Sequence, residues 1–444
     1  MTLRAVILAG IAALLVAPIP AKPAAAPTRG LLLADIHFDP FATMSRSQIE
    51  GLRLKPIEEW DGIFGPPKGV PSSYDHDSNY SLMCSALSAA AGQNTFYVVC
   101  TGDLLAHGFR DLYYDNYKTY DGFSEFTIKT ERYVLAKMQK TLGVPVICAL
   151  GNNDTDTGDY SEPSPQMLEA VAAQLKTLST PESRATFAFG GFCLIPNPAV
   201  PGRDVLVLNS VLWSASAPAL TLNQSDPGWT ELDWLQWQLD AARRAGRKAT
   251  LVMHIPPGFD AYKSVKQGAP VAGWRDEYTN RFRSIMKTYG DVVQIGFAGH
   301  THMDDFRLIS GTLPIRITPA VSPLFFNNPG YATFDFDQKS GEVGKIETFY
   351  LQLSPLGTWS NASSFSPTLN GSPFVPAVLS KLASGILTSL STREKFGSDY
   401  NDRGTDPKGK SPFFKTEWPY YACAQTNFTD SDYWVCVMNA SGQK

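Results

Sequence analysis

Positive charge is not in surplus in this chain: 38 Lys and Arg face 42 Asp and Glu over 444 residues, a net charge of −4 with histidine neutral. That balance leaves none of the basic footprint expected of a nucleic-acid-binding protein. Beyond the N-terminus no apolar run is long enough to cross a bilayer, so no transmembrane segment is expected in the mature chain. Internal repeats and coiled-coil heptads are also missing, which excludes solenoids and long helical fibres. Cysteine is sparse, six residues in all, a number compatible with export but no proof of it. Histidine is as sparse, again six. What remains is 43% hydrophobic, ordinary for a soluble globular protein and long enough for one large α/β domain with an appendage.

The N-terminus reads as an export signal. Arg4 precedes the apolar stretch 5–17, and the small residues of Ala21-Lys22-Pro23-Ala24-Ala25-Ala26 offer cleavage points. Residues 1–26 are therefore expected to be removed, leaving a protein that is secreted, periplasmic or otherwise extracytoplasmic.

Five short apolar runs, 31–34, 96–100, 144–148, 249–253 and 292–297, are rich in β-branched residues, as strands covered on both faces require. Between them, 126–142, 167–178, 231–245 and 276–289 carry helical spacing. Alternating strands and helices predict a layered α/β domain, whose ligands gather beyond the carboxyl ends of the strands.

Polar strings follow each of those runs. They are Asp35-Ile36-His37, Gly102-Asp103, Gly151-Asn152-Asn153-Asp154, His254 and Gly299-His300-Thr301-His302. Singly they are weak signals, since Gly-Asp and Gly-Asn are mostly turn punctuation. Together they place four of the six histidines beside carboxylates and an amide at one sheet edge. Two cations about 3.5–4 Å apart can neutralise a phosphoester and lower the pKa of a bridging water. Mixed imidazole, carboxylate and amide ligation suits zinc, iron or manganese better than calcium or a thiolate-held structural zinc. Asp103, the one Asp that directly follows a central strand and a tight Gly, is the expected bridge. Asp35, His37 and His302 are then assigned with it to one metal, and Asn152, His254 and His300 to the other.

The ordered set resembles the calcineurin-like metallophosphoesterase superfamily, with its D-x-H, GD, GNH plus acid, H and GHxH motifs, over residues 30–353. Flanking strings are similar to the branch holding acid sphingomyelinase, its phosphodiesterase-like relatives and the endopolyphosphatases. These are His254-Ile255-Pro256-Pro257-Gly258, Met303-Asp304-Asp305-Phe306 after the last motif, Asn328-Pro329-Gly330-Tyr331, Leu208-Asn209-Ser210, and Asp77-Ser78 heading a helix through Leu82 and Leu87. The resemblance implies a sandwich of two central mixed β-sheets flanked by helices, two divalent transition-metal ions with zinc first, and hydrolysis of phosphate esters.

The chain departs from the family in one place. Asn153 stands where most members have the histidine that assists the leaving group, and an amide cannot deliver a proton. His107, four residues after Asp103, is then the expected proton donor, with Asn153 as the other candidate; His76 reads as a solvated loop residue. The expected domains are a signal at 1–26, a catalytic domain at 30–353, and a C-terminal extension at 354–444 that the resemblance places against the catalytic domain. That extension should hold a helix over 375–389, a charged Gly-rich stretch to Lys415, and an aromatic end in which Cys423 and Cys436 form a disulfide. Aromatic loops at 40–77 and 107–123 should border the site and pack on one another.

The expected function is hydrolysis of phosphodiester or phosphoanhydride bonds in a phosphate-containing small molecule, polyphosphate or lipid. Alternatives are an endopolyphosphatase or nucleotide polyphosphate hydrolase and, from another class, a metal-stabilised binding protein without catalysis.

Overall fold

The computed structural model describes residues 28–67, 69–218, 226–361, 373–403 and 411–442, so the expected signal segment lies outside the described residues. In chain order the strands are β1 (Arg29–Leu33), β2 (Val98–Cys100), β3 (Val146–Cys148), β4 (Cys193–Pro196), β5 (Arg203–Val207), β6 (Lys248–Val252), β7 (Val293–Ala298), β8 (Asp305–Ile309), β9 (Leu313–Ile317), β10 (Gly330–Phe336), β11 (Val343–Leu353) and β12 (Leu356–Asn361). They form two six-stranded mixed sheets, ordered β12-β11-β10-β1-β2-β3 and β4-β5-β6-β7-β9-β8. In the first, β1, β2 and β3 are parallel and β10 to β12 antiparallel. In the second, β5, β6, β7 and β9 are parallel, with β4 and β8 as antiparallel edges.

The parallel strands are buried because helices cover them. Helix Phe123–Leu142 turns Phe126, Thr130, Val134 and Met138 inward at spacings of four, and stops at Gly143 in the left-handed conformation. Helices Pro165–Gln174, Pro227–Arg244 and Asp276–Thr288 start at Ser164, Asp226 and Arg275; the side chains of the first two accept hydrogen bonds from the first helical turn.

The aromatic loops pack on themselves and on helix Phe123–Leu142. Trp60, fully buried, lies 5.7 Å from Phe126 and 5.1 Å from Tyr133, Phe41 stacks on Phe126 at 5.3 Å, and Phe64 stacks on Tyr80 at 4.5 Å. Tyr113 and Tyr117 join this cluster. The exposed Tyr114 and Tyr120 stack on each other at 5.0 Å.

Two readings of the C-terminal part need correction. Residues 390–400, expected as irregular charged chain, form helix Leu390–Tyr400, capped by the Ser389 side chain and buried through Phe396 and Tyr400. The first sheet also continues past residue 353, because β12 folds back on β11 with Leu353 opposite Leu356. The Ser and Pro at that tight reversal hid a hairpin.

Backbone pairs tie the C-terminal segment to the rest. Asp304 N–H donates to Tyr400 O at 2.8 Å and Leu308 N–H to Gln425 O at 2.8 Å. Phe259 stacks on Tyr433 at 4.1 Å. Cys423 and Cys436 form a disulfide between helices Trp418–Ala424 and Asp430–Ala440, while Cys84, Cys100, Cys148 and Cys193 are buried thiols. Asn328 has a structural role: its amide donates to Asp402 O, and its carbonyl oxygen accepts from Tyr74 Oη and Leu353 N. Deleting the residues after Pro373 would uncover Phe259 and the β8 edge. The truncated chain is expected to be aggregated or to melt well below the full chain, as size-exclusion chromatography and a thermal melt would show.

Candidate metal centre and cleft

Each polar string leaves the carboxyl end of a parallel strand. Asp35 and His37 follow β1, Asp103 follows β2, Asn152 follows β3, His254 follows β6, and His300 and His302 follow β7. The two sheets thus deliver their loops to one place. Five of these seven residues have positive φ: Asp35 at 49°, His37 at 45°, Asp103 at 56°, His300 at 72° and His302 at 64°. Left-handed backbone is uncommon outside glycine, and where it clusters it marks a constrained functional site.

Asp35, His37 and Asp103 bring ligand atoms within 4.8 Å of one another, as do Asp103, His254 and His300. Asp103 is common to these two groups, and His37, His107 and His302 meet within the same distance. Asp103 Oδ2 lies 3.4 Å from His37 Nε2 and 3.1 Å from His254 Nε2. Asn152 Oδ1 lies 3.1 Å from His254 Nε2, and His302 Nε2 lies 3.1 Å from His37 Nε2. The glycines of the motifs make room: a Cβ on Gly151 would sit 2.0 Å from Asp103 Oδ1, and one on Gly299 would sit 2.6 Å from Asp35 Oδ2.

The donor set fits a cation. His37 Nδ1 faces Leu105 O at 2.8 Å and His254 Nδ1 faces Thr101 O at 2.8 Å, contacts that only an N–H can make. That leaves Nε2 of each ring as the atom turned to where a cation would sit, as in metal-ligating imidazoles whose other nitrogen is held by a carbonyl. Asp103 Oδ2 faces both Nε2 atoms, Asn152 Oδ1 faces that of His254, and His302 Nε2 faces that of His37. Charge tells the same story. Burial disfavours a charged His37, yet Asp103 and Asp35 raise it to about 10; burial likewise opposes His254, which Asp103 lifts to about 9. His300 is pushed down to about 3 by burial and by its neighbour His254. The buried carboxylates thus draw positive charge to the two imidazoles, and divalent ions held here would supply it instead.

Four further residues shape the site. Asp154, the acid of the third motif, accepts from the backbone N–H groups of Asp103, Leu104, Leu105 and Gly151 at 2.7–3.2 Å, so it stitches two ligand loops together and is no ligand. Asp77 does not head the helix, which Asn79 caps. It faces His107 instead, accepting from the His107 backbone N–H at 2.8 Å, from its Nδ1 at 3.0 Å, and from Ser322 Oγ at 2.8 Å. His107, about one-third exposed, stacks on His37 at 3.8 Å. Asn153 is turned inward, its backbone N–H and Nδ2 donating to the two oxygens of Asp103 at 2.8 and 2.9 Å. His76 is exposed and bonded only to its own loop. None of these directions has a sequence signal except the Asp154 position, which the third motif's acid already marks.

The centre opens into a cleft of about 740 Å³ whose walls include His107, His300, Tyr160, Phe325, Tyr262 and Lys415. The aromatic wall was expected from the 40–77 and 107–123 loops; it comes instead from other segments, one of them C-terminal. A sequence profile of the calcineurin-like phosphoesterases matches residues 29–304. The chain belongs to that family. This phosphoesterase is 25% identical over 306 residues to a sphingomyelinase phosphodiesterase D of Dictyostelium discoideum, covering 66% of this chain and 65% of that protein. It is 26% identical over 344 residues to the human acid sphingomyelinase-like phosphodiesterase 3b, covering 72% and 70%. An endopolyphosphatase of Neurospora crassa matches at 24% over 291 residues, covering 62% of this chain and 37% of that protein. The family's fold implies a dinuclear divalent metal centre, and the Asp, His and Asn cluster is where this phosphoesterase would hold it. Among the described residues no helix is long and apolar enough to cross a membrane.

Proposed function

We propose that this phosphoesterase is exported and hydrolyses phosphodiester or phosphoanhydride bonds, with zinc in both positions of the centre. The observation that carries the reading is Asp103, shared by two ligand groups at the floor of an open cleft. Asp35, His37, His302 and Asp103 would hold one ion, and Asn152, His254, His300 and Asp103 the other. Bound divalent ions supply charge neutralisation and a hydroxide nucleophile at neutral pH. The chain's own residues do the rest. Asn153 keeps the bridging carboxylate in one orientation through two hydrogen bonds. Asp77 holds Nδ1–H of His107, which leaves Nε2 to carry a proton toward the cleft and the departing oxygen. Export is supported by the N-terminal apolar stretch and by the disulfide Cys423–Cys436.

A second reading, hydrolysis of polyphosphate or nucleotide polyphosphate, is favoured by Asn153: an amide spent on Asp103 stands where the family motif has a proton-delivering histidine, which suits leaving groups that need little help. The test is a side-by-side assay of purified, metal-assayed protein on an aryl phosphodiester, sphingomyelin, a nucleoside triphosphate and long-chain polyphosphate. Turnover of the aryl diester and of at least one anhydride, lost on chelation and restored by zinc, is expected. Metal-bound protein inert on all four would favour the binding-protein reading.

A further inference from the structure

The two halves of the proposed centre are enclosed unequally. Asp35, His37, His302 and His254 are at most 1% exposed, whereas His300 is partly open; Asn152, His300 and His302 border the cleft. Asn152 is also the one amide of the set, and an amide can turn either its oxygen or its nitrogen to a cation. Its orientation is set by a contact the family motifs do not contain: Asn152 Nδ2 donates to Asp159 Oδ1 at 2.8 Å, which leaves Asn152 Oδ1 facing His254 Nε2.

The loop that carries Asp159 is built to hold it there. Asp156 accepts from Ser124 Oγ at 2.5 Å and from the N–H and Oγ of Ser164 at 2.8 and 2.7 Å, tying the loop to the starts of helices Phe123–Leu142 and Pro165–Gln174. Thr157 Oγ1 donates to Glu162 O at 2.7 Å across the loop. At its tip Tyr160, with φ of 59°, donates its backbone N–H to Asn152 O at 3.0 Å and sets its ring edge-on to His300. One strap therefore grips Asn152 and covers His300, both on the same side of Asp103.

Resting on the two-metal reading, we infer that Asp159 is a positioning residue for the ion held by Asn152, His254 and His300, and that this ion is the exchangeable one. Partners that orient a metal ligand typically account for about 10–100-fold in affinity. Wild type, Asp159→Ala and Asp159→Asn would be purified with zinc, dialysed against a mild chelator and assayed for bound metal; competition with a chromogenic chelator gives each affinity, and thermal melts report the fold. Wild type should keep two ions. Asp159→Ala should keep one, with the second bound about 10–100-fold more weakly and the apo protein melting as wild type does. Asp159→Asn should stay close to wild type, since its carbonyl can accept the same N–H. Two ions held with wild-type affinity by Asp159→Ala would overturn the inference, as would loss of both ions together or equal damage in Asp159→Asn. A wild type that never binds two ions would overturn the two-metal reading itself, and the inference with it.

Discussion

Asp103→Asn is expected to strip the purified protein of both metal ions and to lower turnover of an aryl phosphodiester by about 10³-fold or more, given that loss of one group stabilising developing charge already costs about 10²–10³. The reason is geometric. Asp103 Oδ2 lies within 3.4 Å of the Nε2 atoms of His37 and His254, one from each ligand group. An amide would keep one acceptor oxygen and put an N–H₂ in place of the other. That N–H₂ would point either at a cation or at the N–H groups of Asn153, which donate to both Asp103 oxygens. Elemental analysis and steady-state kinetics on the same sample decide it: a variant with two ions and wild-type turnover removes Asp103 from the bridging position.

His107→Ala should separate substrates by their leaving groups. An alkoxide needs a proton as it departs, and a positioned general acid contributes about 10²–10⁴-fold; phosphate and aryl oxide leave with little assistance. Alkyl diesters, expected to be slower than aryl diesters and anhydrides in the wild type, should lose about that factor in the variant, with the activated substrates nearly unaffected. Asp77→Asn should shift the same ratio in the same direction but less, because its amide can still accept from His107 Nδ1 while losing one of the three contacts that converge on the carboxylate. Equal losses on both classes of substrate would assign His107 to holding the site together. Wild-type turnover of sphingomyelin as fast as that of an aryl diester would remove the leaving-group argument altogether.

The parts of this site that the sequence displays are those encoded locally. A buried parallel strand is a short apolar run, and a loop leaving its carboxyl end is a polar string directly after it, so Asp35, His37, Asp103, Asn152, His254, His300 and His302 stand out as candidate ligands by position and residue type together. The short Cys423 to Cys436 loop was legible for the same reason. Contacts made across the fold were not. Asp77 looks like the polar residue ahead of a helix, and only the approach of a loop 30 residues later shows that its partner is His107. Asn153 occupies a catalytic motif position, but its direction is fixed by Asp103, 50 residues earlier. Helix Leu390–Tyr400 escaped notice because its buried residues include Gly397 and Asp399 rather than a clear apolar stripe.

The left-handed backbone at five of the seven candidate ligands also limits which residues can stand there. Asn, Asp and His are several-fold enriched among non-glycine residues in that conformation, and they are also the oxygen and imidazole donors that the centre uses. Main chain and metal therefore select the same short list. Glu at position 103 or Cys at position 302 would offer a chemically acceptable donor, yet the chain would have to hold an ill-suited residue in a strained turn before any ion arrived. Ligand exchange in this scaffold is restricted first by conformation and only afterwards by coordination preference, which leaves Asn152 and His254, the two positions with ordinary backbone, as the places where a different donor could be introduced most readily.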